Sequence, residues 1–189
     1  MSSFLPDDFD GIPQGDTKYL KFQEGENSFR ILSKAVIGYE YWIDEDKQRK
    51  PVRVKDVEDI PDEFLNNKDN RKNAKYFWAF VVYNPTVKNI QILEIKQKKV
   101  MNGIMALDNS KAWGDPKAYN IVVTKTKTGP EDRDVEYSVM PEPKIKLEDG
   151  IEQLYKDMQI DLEALFRGDD PFNADKEKFI DEVSKKIKE

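Results

Sequence analysis

Between Asn73 and Ile95 the chain reads NAKYFWAFVVYNPTVKNIQILEI, and Tyr76, Phe77, Trp78, Phe80 and Tyr83 fall within eight residues of it. A strand turns successive side chains to opposite faces, so a sheet with one wet face needs large apolar residues only at every second position. Here both parities are apolar. Phe77, Ala79, Val81 and Tyr83 form one set; Tyr76, Trp78, Phe80 and Val82 form the other. Either the strand is covered on both sides, or one face carries aromatic rings for a ligand. One set must be core. Phe77, Ala79 and Val81 are assigned to it, and Tyr76 and Trp78 to a ligand. Phe80 fits either role.

Strand signals surround this stretch. KYLKFQ (Lys18 to Gln23), NSFRILSK (Asn27 to Lys34), VIGYEYWI (Val36 to Ile43) and the short PVRV (Pro51 to Val54) precede it. All are rich in β-branched and aromatic residues between polar turns. The polar run Asp56 to Ala74, with Pro61, predicts a long loop holding one helical turn around Glu63 to Asn66. NPTVKN predicts a hairpin into a strand over Ile90 to Ile95. The period then changes: Val100, Met101, Ile104 and Leu107 recur at helical spacing. Strands follow over Tyr119 to Thr128 and Val135 to Pro141. Short antiparallel strands must close or pair to protect their edges. One helix between the third and fourth strands of a Greek-key barrel is the OB arrangement, whose sheet face and loops bind oligonucleotides or oligosaccharides. The expected fold is therefore mainly β with flanking helices: an OB-like five-stranded barrel with additional strands and C-terminal helices.

Three regions are expected. Residues 1–17 hold four acids and no base, mixed with Pro, Gly and Ser, and predict an acidic, flexible arm. Residues 18–145 form the OB core. From residue 146 the composition changes to helical patterning, with Gly168 as a helix cap and Phe179, Ile180, Val183 and Ile187 as the apolar residues of a last helix.

Composition excludes much chemistry. The 189 residues contain no Cys and no His. Structural zinc loses its usual ligands, and His-based nucleophile systems are impossible. No Gly-rich phosphate loop is present. A binder without cofactor or metal is expected, not an enzyme. No apolar run approaches the roughly 18 residues of a membrane span, and no secretory leader is legible, so the expected location is cytoplasmic.

The net charge of −6 is unevenly placed. Residues 1–17 carry −4, residues 146–189 carry −5, and the centre is left at +3. Within that centre, bases flank aromatics. Arg71, Lys72 and Lys75 precede Tyr76 and Trp78; Lys96, Lys98 and Lys99 open the helix. Lys125 and Lys127 share one strand face, and Arg53 follows Trp42. Single-stranded nucleic acid needs this combination, because phosphates are held by cations while unstacked bases lie on flat rings. An aromatic strand residue is more often core than ligand. Only the coincidence of rings with bases singles these residues out.

KYLKFQEGENSFRILS, KYFWAFVVYN, IQILEIKQKKVMNGIMAL and WGDPKAYNIVVTKT with VEYSVMP together resemble the single-stranded DNA-binding proteins of tailed bacteriophages, including the helix-destabilising proteins of T-even phages. The resemblance covers about Lys18 to Pro143. It implies an OB-fold protein that coats single-stranded DNA in phage replication, recombination or repair, in the cytoplasm of a bacterial host. It places DNA contacts on Arg71, Lys72, Lys75, Tyr76 and Trp78, with Lys98 and Lys99 at the basic helix start. The T-even proteins carry a zinc-bearing insertion and a basic amino terminus for cooperative self-association. This chain lacks zinc ligands and begins acidic. In that family, acidic carboxyl-terminal tails recruit replication proteins; the helical pattern here implies a docking or self-association segment instead.

The expected function is sequence-independent binding of single-stranded DNA through Trp42, Arg53, Arg71, Lys72, Lys75, Tyr76, Trp78, Lys96, Lys98, Lys99, Lys125 and Lys127. The alternative is a protein-interaction module, a phage structural or replisome adaptor, with no direct nucleic-acid binding.

Overall fold

A computed structural model describes residues 18–173. The arm over 1–17 and the helix expected over 174–189 lie outside the described residues. The elements are β1 (Tyr19–Leu20), β2 (Gly25–Ile31), β3 (Val36–Glu45), β4 (Gln48–Val54), β5 (Lys75–Asn84), β6 (Asn89–Ile95), α1 (Lys98–Asp108), β7 (Asn120–Lys127), β8 (Val135–Pro141), α2 (Ile151–Met158) and α3 (Ala164–Arg167). The loop before β5 holds two 3₁₀ turns, Val57–Asp59 and Asp62–Phe64, where one helical turn was expected.

The eight strands form one mixed sheet in the order β1-β6-β5-β2-β7-β8, with β3 paired to β5 and β4. The path does not close on itself. Every pair is antiparallel except β1 with β6. β2 and β3 lie end to end along β5: Ile31 is opposite Val82, and Val36 is opposite Ala79. Between them Leu32 N–H donates to the Val81 carbonyl at 2.9 Å, and Val81 N–H donates to Ser33 Oγ at 2.8 Å. The crossing therefore leaves no β5 backbone group unpaired at that point.

β5 is covered on both faces. Phe80 and Val82 pack with Phe29, Ile31, Leu93, Ile95, Ile121 and Val123, closed off by Val100, Met101, Ile104 and Leu107 of α1. Phe80 is 2% exposed, which settles its role as core. Phe77, Ala79, Val81 and Tyr83, with Ile90 and Ile92 of β6, pack instead under Leu162 and Leu165, flanked by Leu147, Ile151, Phe166 and Phe172. The expectation of one core face and one ligand face thus needs correction. Both parities from Phe77 to Tyr83 serve separate apolar layers, and the second layer is supplied by the C-terminal segment. That segment, as far as residue 173, is part of the folded unit.

Polar anchors fix this cover. Buried Arg30 donates from Nε to Asn120 Oδ1 and from Nη2 to the Ile145 carbonyl, both at 2.9 Å. Burial lowers its pKa while the Glu142 charge opposes that shift. The Tyr83 hydroxyl donates to Glu148 Oε2 at 3.3 Å, and Lys18 pairs with Asp170 at 2.9 Å. Gly168 ends α3 in the left-handed conformation at φ 75°, and its N–H donates to the Ala164 carbonyl.

The fit of the cover is close at Gly38. A Cβ there would lie 2.4 Å from the Val54 carbonyl oxygen and 2.7 Å from Phe166 Cε1. Gly38→Ala should destabilise the fold by about 1–3 kcal/mol through overpacking. In urea unfolding the midpoint should fall while the slope stays constant. An unchanged midpoint would show that Phe166 does not seat against β3.

Candidate nucleic-acid interface

β3 runs beyond its partner β5. Its pairing to β5 covers Val36 to Glu40, while its pairing to β4 continues to Glu45. From Tyr41 onward one edge of β3 therefore faces the loop before β5. The two-residue turn Asp46–Lys47, with φ 50° and 62°, closes the β3–β4 hairpin. Phe64 of the loop stacks on Tyr41 with ring centroids 4.5 Å apart. Outside that stack lies a cleft of about 660 Å³, lined by Trp42, Arg49, Arg71 and Lys72 among others. Three chain segments converge there.

Trp42 is 42% exposed, but its ring is oriented. Its indole Nε1–H donates to Glu40 Oε1 at 3.1 Å, and the Arg49 guanidinium lies 5.3 Å from the ring centroid. Such a cation over an indole is attracted by the ring quadrupole. Arg71 is almost fully exposed and donates to Asp69, from Nε at 2.9 Å and from Nη2 at 3.1 Å. That hydrogen bonding holds the Asp69 carboxyl below its ordinary pKa. Asp44, Glu63 and Asp69 balance Arg49, Arg71 and Lys72 in the cleft lining. The cleft is charge-patterned and not simply basic.

Glu40 is the residue the sequence reading missed. Its side chain is 2% exposed. Oε1 accepts from Trp42 Nε1 and from Lys96 Nζ, and Arg53 Nη2 lies 2.9 Å from Oε2. Arg53 also donates to both oxygens of Glu94, at 3.0 and 3.2 Å. Three expected DNA-contacting residues, Trp42, Arg53 and Lys96, thus meet on one buried carboxylate. A carboxylate in the middle of an aromatic strand, YEYW, was the available signal.

Lys96 also lines a second concavity, a groove of about 350 Å³ in the gap between β1–β6 and β7–β8, where Lys125 joins it. Lys98 and Lys99 follow as exposed residues in the first turn of α1, which contains no acid. Cations at a helix N-terminus oppose its dipole, by about 0.3–1 kcal/mol each. Helix stability therefore does not account for their placement. Lys127 is exposed two residues beyond Lys125 on β7.

The remaining expected residues are distributed differently. Lys75 is exposed and opposite Glu40 in register. Tyr76, 39% exposed, points to the other face, where its ring centroid lies 5.4 Å from that of Tyr39. Trp78 shares that face and packs against the inner core, with its Nε1 buried and without an acceptor. Arg53 is held between two carboxylates and lies over Phe77. Tyr76 and Trp78 are therefore not brought together with Trp42.

No described helix is long and apolar enough to cross a membrane. Compared with known proteins, the chain matches no family model and no curated protein.

Removing Glu40 takes from Lys96 its buried counter-charge and leaves Arg53 with Glu94 alone. Glu40→Ala should cost about 3–5 kcal/mol, the usual consequence of breaking a buried ion cluster. It should also shift Trp42 emission, since the indole loses its acceptor. Denaturant unfolding and tryptophan fluorescence check the two effects separately. Loss of less than about 1 kcal/mol would mean that the carboxylate is solvated.

Proposed function

We propose that this protein binds single-stranded DNA without sequence preference. One observation carries the proposal. An exposed, oriented indole and cations from separate chain segments line one cleft beside β3, and that indole is tied to Lys96 through Glu40. Bases would stack on Trp42, while Arg49, Arg71, Lys72, Lys75 and Lys96 follow the phosphates. Trapping separated strands would then lower duplex stability by mass action.

The strand order β6-β5-β2-β7-β8, with α1 between β6 and β7, supports reading the sheet as an opened Greek-key barrel of the OB kind. In that reading β2, β5, β6, β7 and β8 are the five barrel strands, and β3–β4 is an added hairpin. The outer face of β5 and β6 lies beneath residues 147–172. The bound strand therefore lies across the strand ends and the hairpin. The phage replication, recombination or repair setting, and the bacterial cytoplasm, belong to this proposal through the resemblance.

A second reading, a protein-docking module, is favoured by a different surface. Ile37 and Met105 are 52% and 47% exposed, and Met105 lines a groove of about 230 Å³ with Trp78. Ile37 is opposite Trp78 in register.

Titration of tryptophan fluorescence with dT oligomers separates the two. The DNA reading expects quenching that weakens steeply with salt, each released phosphate contact adding about 0.7 to the slope. Trp42→Ala should weaken binding by about 1–3 kcal/mol, and Arg71→Ala with Lys72→Ala should flatten the salt dependence. A flat titration at low salt sinks the DNA reading and leaves the docking surface.

A further inference from the structure

We infer that the groove between β1–β6 and β7–β8 is a second nucleobase subsite on the same bound strand; this rests on the DNA-binding reading above. The groove is lined by Phe22 and Tyr137, whose ring centroids lie 6.1 Å apart at 55°, together with Lys21, Lys96 and Lys125. Its volume of about 350 Å³ lies in the usual range of small-ligand sites, about 300–1,000 Å³.

The chemistry of the lining selects the ligand. Its charged residues are three lysines and Glu94; Glu94 is engaged by Arg53 and Lys96 by Glu40, which leaves Lys21 and Lys125 as the cations of the lining. The groove is therefore a net cationic concavity, unlike the balanced cleft at Trp42. Lys125 arises from its position. Alternate residues of β7 turn Ile121 and Val123 into the inner core, so Lys125 continues that same inward face where the core runs out. Its Nζ reaches the Phe22 carbonyl at 3.5 Å, across the mouth of the groove. Tyr137 is opposite Lys125 in register and so turns inward with it. Half-buried rings beside the inward-facing Lys125 suit a flat base with a phosphate next to it.

Lys96 makes the two sites continuous. It lines this groove and also shares Glu40 Oε1 with Trp42. From β3 across β5 and β6 to the gap is about three strand spacings of ~4.8 Å. A short oligonucleotide spans that interval, since single-strand binders occupy from about four nucleotides per OB domain. One strand then runs from Trp42 over Lys96 to Tyr137.

The test compares dT2, too short to leave Trp42, with dT8 on the full chain, reading Trp42 quenching at several salt concentrations. Lys21→Gln with Lys125→Gln should leave dT2 binding unchanged. It should weaken dT8 binding about tenfold and lower its salt slope by about 1.4, two contacts' worth. Tyr137→Ala should weaken dT8 by about fivefold to a hundredfold, as loss of one stacked base would. The lysine pair keeps the test valid if Tyr137→Ala fails to fold. Wild-type dT8 binding and slope in the lysine variant would overturn the subsite alone. Absence of any quenching by dT8 in the wild type would overturn the DNA reading and the subsite with it.

Discussion

The fold depends on one strand having no wet face from Phe77 to Tyr83. β5 carries Phe80 and Val82 into one apolar layer and Phe77, Ala79 and Val81 into another, and all five are essentially inaccessible. Each of the four larger side chains contributes about 1.5–3 kcal/mol. Two consequences follow. The inner layer needs α1 to close it, and Gly103 lets that helix approach β8, where a Cβ would lie 2.6 Å from Val139. The outer layer needs residues 147–172 to shield it from water. With both layers committed, polar and ligand-facing chemistry is displaced to the strand ends and to the β3–β4 hairpin.

Glu40 shows how charge is accommodated at that boundary. Taking a carboxylate out of water is expensive unless its lone pairs are matched. Trp42 and Lys96 hydrogen-bond Oε1, while Arg53 faces Oε2 as an ion pair without a hydrogen bond, so three segments supply the partners. Well-packed apolar groups would stabilise such a place equally well. What they would not do is fix the direction of an exposed indole and hold a lysine beside it. Orientation before binding reduces the ordering cost that a ligand must otherwise meet.

Most of the strands were legible from period and composition. Alternation and β-branched runs located β2, β3, β5, β6, β7 and β8, and the 3.6-residue spacing of Val100, Ile104 and Leu107 located α1. The extent of β4 was not legible. Its turn is Asp46–Lys47, without the Gly or Asn that announces a two-residue hairpin, so only PVRV stood out as a strand. The candidate site was partly legible. Trp42, Arg71 and Lys72 share a cleft as their chemistry suggested. Tyr76 and Trp78 do not join them, because parity places them on the opposite face of β5 from Lys75. The Glu40 cluster was hidden because Arg53 and Lys96 come from other segments and reach Glu40 only through sheet register.

The outer cover of β5 also sets an order on biosynthesis. Phe77, Ala79, Val81, Ile90 and Ile92 leave the ribosome well before Leu162 and Leu165, which cover them. At about 5–20 residues per second, that interval lasts several seconds. Until then the outer face of β5 and β6 lacks the cover that its own chain supplies. Arg30 cannot grip the Ile145 carbonyl, nor Tyr83 the Glu148 carboxylate, until the chain has returned across the finished sheet. The cover is thus the last layer that synthesis makes available to the sheet.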